Sequence, residues 1–568
     1  MNLLFKSHQP VITSNGISSD RQQVSLETEG EIPKYLEGSF VRNGPGVYEF
    51  ENSTYKHAFD PIAVLQKITF NKGGVKYGSQ AVECDHYKAN QAAGQIVRAE
   101  LGTYAEESWV THNPDGSEIT DETEIFANRL RFLNQTGYVT DNTNVQTYRI
   151  RGEIISVSDA LHMNIHEPTM LRKTQSLDIH DAINFPEDVK CTMHSSHGQF
   201  DEKNDFYNVV ACQCLPGSKH NRYPFPITCY VPYTIPSLSS KPGVSLLESI
   251  QFGKPFFNSN TLDFSIHYFH SLSMTKNYIV LPLSSLLWPS RDIVRHTMNA
   301  EPMTYALKWD DEVKGEILLI SKDTLNVKSH LTVDRAMLLM HTINAYETDT
   351  EIVFDSINTE NGELGDIYTF DLLRQTGDDL VKMYDYLAPI AQPLRFILPL
   401  PSGGARPSLL RGENLFNVAK DNNQWKTFML GGIEFPIINY EHFSGKKYDH
   451  FWGVGFGAIW QDRIYHVQYS TLKRWVWMVK GYHPSEPVFV QDPSRTDEDA
   501  GVLLSLVSPL SDESQKVFNL YSYSNLTFIF QPFIVILDAH DLTELGRAYL
   551  PNGHIPLGFH GQWYPGLQ

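Results

Sequence analysis

The chain has 568 residues, 41% hydrophobic and 12% aromatic, an apolar content that can bury a large core and that excludes intrinsic disorder. Acidic residues outnumber basic ones, 66 to 46, and the formal charge of −20 repels phosphate backbones, so no nucleic-acid partner is expected. Length alone suits roughly three or four ordinary domains, yet Gly and Pro spread along the whole chain and no linker divides it.

In chain order, the amino terminus MNLLFKSHQPVITSNG has an apolar run too short for a signal-peptide core, and residues 1–20 are read as an extension ahead of the folded part, residues 21–568. GSFVRNG, AVLQKITFNKGGVKYGSQAV, NYIVLPL, GEILLISK, TEIVFDSI, RIYHVQYS, EPVFVQDP and GVLLSLVS then predict short strands. They are rich in β-branched and aromatic residues and bounded by Gly, Pro, Asn or Asp. Asn71-Lys72-Gly73-Gly74 between two such runs predicts a hairpin turn. The amphipathic stretch from Ile367 to Leu387 is the best helical candidate, and Leu526 to Leu537, broken by Gln531 and Pro532, reads as two buried strands. So many short strands need an architecture that hides its sheet edges, which a β-propeller achieves by radial repetition. A string of β-sandwiches competes, and the missing linkers weigh against it. No apolar run approaches the length of a membrane span. Five cysteines, Cys84, Cys191, Cys212, Cys214 and Cys229, are odd in number and form no CxxC pair, so neither disulfides nor a thiolate metal site are expected; a reduced, cytoplasmic protein is.

Four of the 22 histidines sit in apolar or aromatic settings: His197, His270, His341 and His560. Their spacings are 73, 71 and 219 residues, and the last is three times the first. In a closed ring of repeats of about 70 to 80 residues, such spacing brings the side chains to equivalent depths around one axis. Four converging imidazoles make a metal site, for which Fe, Zn, Cu and Ni are the candidates. Metal-bound histidines usually give their second N–H to a carboxylate, which fixes the tautomer. Asp159, Glu434 and Glu486, each flanked by apolar residues, are the candidates for that role.

Long segments along the chain resemble the carotenoid cleavage oxygenase family, particularly its animal branch of carotene oxygenases and the retinoid isomerohydrolase. They run from PKYLEGSFVRNGPGVYEF and KHAFD through TDNTNV, YFHSLSMTKNYIV, MHTINAYE and EFPIINYEHFSGKKY to PSEPVFV, DEDAGVLLSLV and PLGFHG. The resemblance implies an all-β fold, a seven-bladed propeller forming one domain under a helical and loop dome, with one Fe(II) held by four histidines. His270, His341 and His560 match the second to fourth ligands. The first falls in CTMHSSHGQFDEK, where His197 fits the small preceding residue and the following Asp, and His194 is the alternative. Glu434 and Glu486 match supporting glutamates, and counting from Val145 places Asp159 where the family has a third, one methylene shorter. Val145 itself matches a valine that, in the isomerohydrolase, partly covers an open iron position; cleaving oxygenases carry it too.

The activity implied is oxidative cleavage of a conjugated double bond in a carotenoid or apocarotenoid by O₂, giving carbonyl products, with no acid–base residue beyond the metal site. Retinoid isomerohydrolysis, a combined isomerase–oxygenase, and a weakened polyene-binding protein are the alternatives. Pro61 replaces the family's glycine after the HxFD motif, and two family cysteines are absent, from NPDGSE and QDRIYHV, so thiol lipidation at those places is excluded. Residues 224–236 and 281–290 fall where the family places its membrane-facing tunnel mouth, which implies peripheral membrane contact through Leu286, Leu287 and Trp288. No sequence feature specifies an oligomeric state.

Overall fold

The turn at Lys72-Gly73 shows how local sequence sets the strands. Both residues take positive φ, 50° and 88°, as the two-residue turn of a tight hairpin requires. They join strand Ile62–Asn71 to strand Gly74–Ala81 with Asn71 opposite Gly74. The computed structural model describes residues 23–568 except 106–107, 114, 116, 137–139, 183–188, 215–226, 239–243, 259–264, 300, 360–361, 363–367, 374–390, 402–408, 415–431, 457–460, 510–530, 552–554 and 557. Each of the eight strand-like segments singled out above carries at least one strand, among them Gly38–Asn43, Tyr278–Leu283, Glu316–Ser321, Glu351–Thr359, Gln461–Gln468, Val488–Gln491 and Gly501–Pro509.

Among the described residues, seven antiparallel sheets have four strands or more. Hydrophobic clusters join them in sequence. One cluster holds Ile155 and Phe206, another Val209 and Leu281, a third Leu319 and Phe354, and a fourth Ile343 and Phe451. A fifth holds Trp452, Ile464, Leu503 and Val535, and a sixth Ile536 and Phe40. A seventh holds Leu65 and Ile154. Strands Gly38–Asn43, Glu316–Ser321 and Phe533–Asp538 are buried along almost their whole length. Strands far apart in the chain also pair. Glu27–Gly30 pairs with Glu544–Tyr549, and His560–Pro565 pairs with Gly38–Asn43, register Asn43 to His560.

Several expectations are corrected here. Cys191 and Cys212 form a disulfide, because the antiparallel register of Val189–His194 with Phe206–Cys214 sets them face to face across 21 residues of sequence. Leu286 and Leu287 are buried in strand Leu286–Pro289, which pairs with Ser265–His267 and with Lys308–Trp309. Trp288 is half-buried, and its indole N–H is shielded from solvent. Leu286 and Leu287 therefore pack inward, while Trp288 keeps part of its side chain at the surface. Strand Ile227–Ile235, in the other segment assigned to the tunnel mouth, is buried too. Of the helix expected from Ile367 to Leu387, the described residues contain only Phe370–Leu373; the remainder lies mostly outside them. Residues 526–530 and 1–20 also lie outside the described residues, and Phe533–Asp538 is a buried strand. No helix among the described residues is long and apolar enough to cross a membrane.

Candidate metal centre

Four sheets each deliver one histidine to a single point. His197 stands just before Gln199–Phe200, and His270 just before Ser273–Met274. His341 lies within Leu338–Glu347, and His560 opens the last strand. One ring nitrogen from each lies within 4.8 Å of the others. His197 Nε2 is 3.1 Å from His270 Nε2, and His341 Nε2 is 3.3 Å from His560 Nε2. An ion about 2.1 Å from each nitrogen would set neighbouring donors ~3.0 Å apart in an octahedral arrangement, so the donor set and its spacing fit a transition metal.

Local backbone chemistry aims each side chain. A bulge between Leu339 and Thr342 lifts His341 out of the ladder, the usual means of re-aiming one residue of a strand. Serines tie the histidine-bearing segments together. Ser195 Oγ donates to the His270 carbonyl (2.7 Å), and Ser271 Oγ donates to the Met340 carbonyl (2.7 Å) while accepting from the Thr342 N–H (3.0 Å). These bonds are buried, where an unmade partner costs about 1–3 kcal/mol.

Three imidazoles turn their second nitrogen to a carboxylate. His270 Nδ1 lies 2.9 Å from Asp159 Oδ2, His341 Nδ1 2.6 Å from Glu434 Oε2, and His560 Nδ1 2.9 Å from Glu486 Oε1. Each contact fixes the protonated Nδ1 tautomer and leaves the Nε2 lone pair facing the cluster. Asp159 makes its contact directly despite the shorter side chain, because its backbone is drawn in: the His194 N–H donates to its carbonyl (2.9 Å). Tyr268 donates its hydroxyl to Asp159 Oδ2 (2.8 Å), and Ser196 donates both its N–H and its hydroxyl to Oδ1. Glu434 sits at a second bulge, where Phe435 adopts φ 51° and its N–H donates back to Glu434 Oε2 (2.8 Å).

Electrostatics keeps two of the donors, His197 and His560, neutral. Burial pushes the His197 and His560 imidazoles well below the ordinary histidine range, and the neighbouring imidazoles push them further. Burial alone would raise the Asp159 carboxyl, but His270, Ser196 and Tyr268 hold it below the ordinary carboxylate range. Glu486 goes the other way: burial pushes its carboxyl well above that range, against the opposing Gly561 N–H.

Other residues fall elsewhere. His194 is buried outside the cluster, with Nε2 2.8 Å from the Ser158 carbonyl oxygen and Nδ1 3.1 Å from the Tyr233 hydroxyl. Val145 sits in a segment pinned beside the last strand, since Asn43, paired with His560, donates its side-chain amide to the Thr143 and Gln146 carbonyls. Sequence reasoning missed Tyr268, Phe435 and the serines. Phe435 packs 5.0 Å from His341 and 5.1 Å from His560 between ring centroids. The positions of Tyr268 two residues before His270 and of Ser195-Ser196 directly before His197 were the available signals. Tyr268, Leu286, Leu338, Met340 and Tyr368 form one apolar and aromatic patch, which reaches the cluster where the Tyr268 hydroxyl lies 3.2 Å from His270 Nδ1, and Phe59 packs against Tyr368 and Phe559.

The family described as retinal pigment epithelial membrane protein matches residues 15–565. The human mitochondrial carotenoid-cleaving dioxygenase is 30% identical, over 98% of this chain and 90% of its own length. Human beta,beta-carotene 15,15'-dioxygenase is 28% identical, over 93% and 90% respectively. A cobalt-substituted Synechocystis ACO, an apocarotenoid oxygenase, superposes with a TM-score of 0.68 at 17% identity, covering 99% of this chain and 98% of that one.

Proposed function

The chain belongs to the retinal pigment epithelial membrane protein family, and from that premise we propose that it is an Fe(II)-dependent dioxygenase cleaving a conjugated double bond of a carotenoid or apocarotenoid. One observation carries the reading: four imidazole nitrogens converge, three of them backed by carboxylates, in a chain matched almost end to end by carotenoid-cleaving relatives. The seven sheets of four strands or more read as propeller blades, and residues 21–568 as one domain.

His197, His270, His341 and His560 would hold the ion, each through one ring nitrogen. Bound Fe(II) supplies the electron that makes O₂ reactive toward an electron-rich alkene. Each carbon of the cleaved bond takes one oxygen atom and ends as a carbonyl, so the balance needs no proton donor. The residues around the cluster are suited to that demand. Asp159, Glu434 and Glu486 orient three imidazoles and keep their Nδ1 protons away from the reacting side. Tyr268, Met340, Tyr368, Phe59 and Phe559 offer an apolar flank along which a polyene can lie with water excluded. Which double bond reaches the cluster is then a matter of shape.

Anaerobic reconstitution with Fe(II), followed by exposure to ¹⁸O₂ with a panel of carotenoids and mass analysis, tests the reading. Two carbonyl products, each carrying label, are expected. A rearranged alcohol from a retinoid ester would instead establish the isomerohydrolase chemistry. Failure to bind iron, with no gain in activity on adding Fe(II), would leave a polyene-binding protein.

A further inference from the structure

A second set of metal-ligand side chains lies outside the four-histidine cluster and shares no residue with it. His450 opens strand His450–Phe456, and His466 lies in the adjacent antiparallel strand Gln461–Gln468. Trp452 stands opposite His466 and His450 opposite Gln468, so the two imidazoles are diagonal neighbours on one face. Asp499 comes from the next sheet, in the loop leading into Gly501–Pro509, and His540 from the turn after Phe533–Asp538. His450 Nδ1 is 2.8 Å from His466 Nε2 and 3.7 Å from Asp499 Oδ2, and one ligand atom from each of the three lies within 4.8 Å of the others.

Tautomer and orientation are set from outside this cluster. His466 Nδ1 lies 2.8 Å from the His540 carbonyl oxygen, which can only accept, so Nδ1 carries the proton and the Nε2 lone pair faces inward. The His466 ring is stacked on Trp475 at 4.5 Å and on Trp452 at 5.0 Å, which holds its rotamer. His450 turns Nε2 toward Asp449 Oδ2 at 4.0 Å, and His540 Nδ1 approaches Asp499 Oδ2 at 2.7 Å. His466 is fully buried, Asp499 nearly so, and His540 is exposed, which leaves an approach from solvent.

We propose that His450, His466 and Asp499 form a second metal site, for a borderline divalent ion of the zinc class, that clips the sheet spanning 433–477 to the sheet spanning 482–549. Two imidazoles and one carboxylate, with a fourth position for water, match what zinc takes; the absence of thiolates disfavours Cu(I), and two nitrogens disfavour Mg(II) and Ca(II). Donors 2.0–2.1 Å from a tetrahedral ion stand ~3.3 Å apart, and the observed 2.8 and 3.7 Å bracket that value. Because the ligands come from two sheets, an ion bound only by the folded chain strengthens the contact between them.

The test uses iron-loaded protein, zinc chloride as probe, desalting, and elemental analysis. One zinc per chain in addition to the iron is expected. Its affinity should fall at least tenfold in His450→Gln and in Asp499→Asn while bound iron is unchanged. Zinc-edge X-ray absorption on the wild-type chain, which needs no variant to fold, should show two imidazoles with oxygen donors and no sulfur. The melting midpoint should rise with zinc in the wild-type chain. The proposal is overturned if no zinc is retained at micromolar concentration, if both variants retain it equally, or if absorption reports four imidazoles, which would place the zinc at the other cluster.

Discussion

The two histidine clusters are built from the same side chains by opposite routes. At the first, each imidazole comes from a different sheet, and the ends of the chain must meet before His560 can join the other three. At the second, strand pairing alone brings His450 and His466 together, and one contact between sheets adds Asp499. The first geometry depends on four sheets; the second depends on two. Their surroundings differ as well. Carboxylates back three imidazoles of the first cluster, whereas a backbone carbonyl and two tryptophans hold His466 in the second.

That contrast can be broken most forcefully at His341. His341→Ala removes one of four donors and should lower bound iron and carotenoid turnover by about a hundredfold or more, read by elemental analysis and product formation. Turnover that survives with iron lost would sink the assignment. Removing a supporting carboxylate is the next step down. Glu434→Gln keeps the shape but gives up the charge facing His341 Nδ1, and a 10- to 100-fold loss of iron affinity is expected from a competition titration. Asp159→Asn should fall at the lower end of that range, since Tyr268 also lies 3.2 Å from His270 Nδ1.

Histidines outside both clusters sharpen the comparison through pH. Burial lowers His166, His194 and His483 to about 4. In the unfolded chain they take up a proton near pH 6.5, and in the fold only near 4, so their contribution to stability is complete above about 6.5 and is lost as pH falls toward 4. Each can add a slope of about 1.4 kcal/mol per pH unit within that window. Urea midpoints of metal-free protein should therefore fall steadily from pH 7 to pH 5; a flat profile would mean that these rings already accept protons in the fold. The smallest effect belongs to Ser271→Ala, which unlinks the His270 and His341 segments. A loss of about 1–3 kcal/mol in urea unfolding with only a few-fold change in iron affinity is expected.

Much of the fold and of the first cluster could be read from the chain. The Lys72-Gly73 turn and the apolar strands are local features, set by positive φ and side-chain shape. The 73- and 71-residue steps between histidines are visible in the chain, and in the structure these three histidines adjoin or lie in strands of three successive sheets of four strands or more. The Cys191–Cys212 disulfide and the inward packing of Leu286 and Leu287 were misread, because partners separated by long loops leave no local trace. His450 and His466 were invisible for a related reason: 16 residues apart on two strands, they meet only in one register, and a slip of a single residue would turn one ring to the opposite face.

The sequence by itself determined strand content, the tight hairpin, the spacing of four histidines and the acidic residues that support three of them. Only the tertiary structure decided between His197 and His194 as the histidine that joins the cluster, brought Asp159 within 2.9 Å of His270, and forced Phe435 into a left-handed turn beneath two imidazoles. Propensity and periodicity act over a few residues and survive in the one-dimensional chain. Register, bulges and the closing of one sheet on the next depend on residues up to the full chain length apart, and the chemistry of both clusters depends on those.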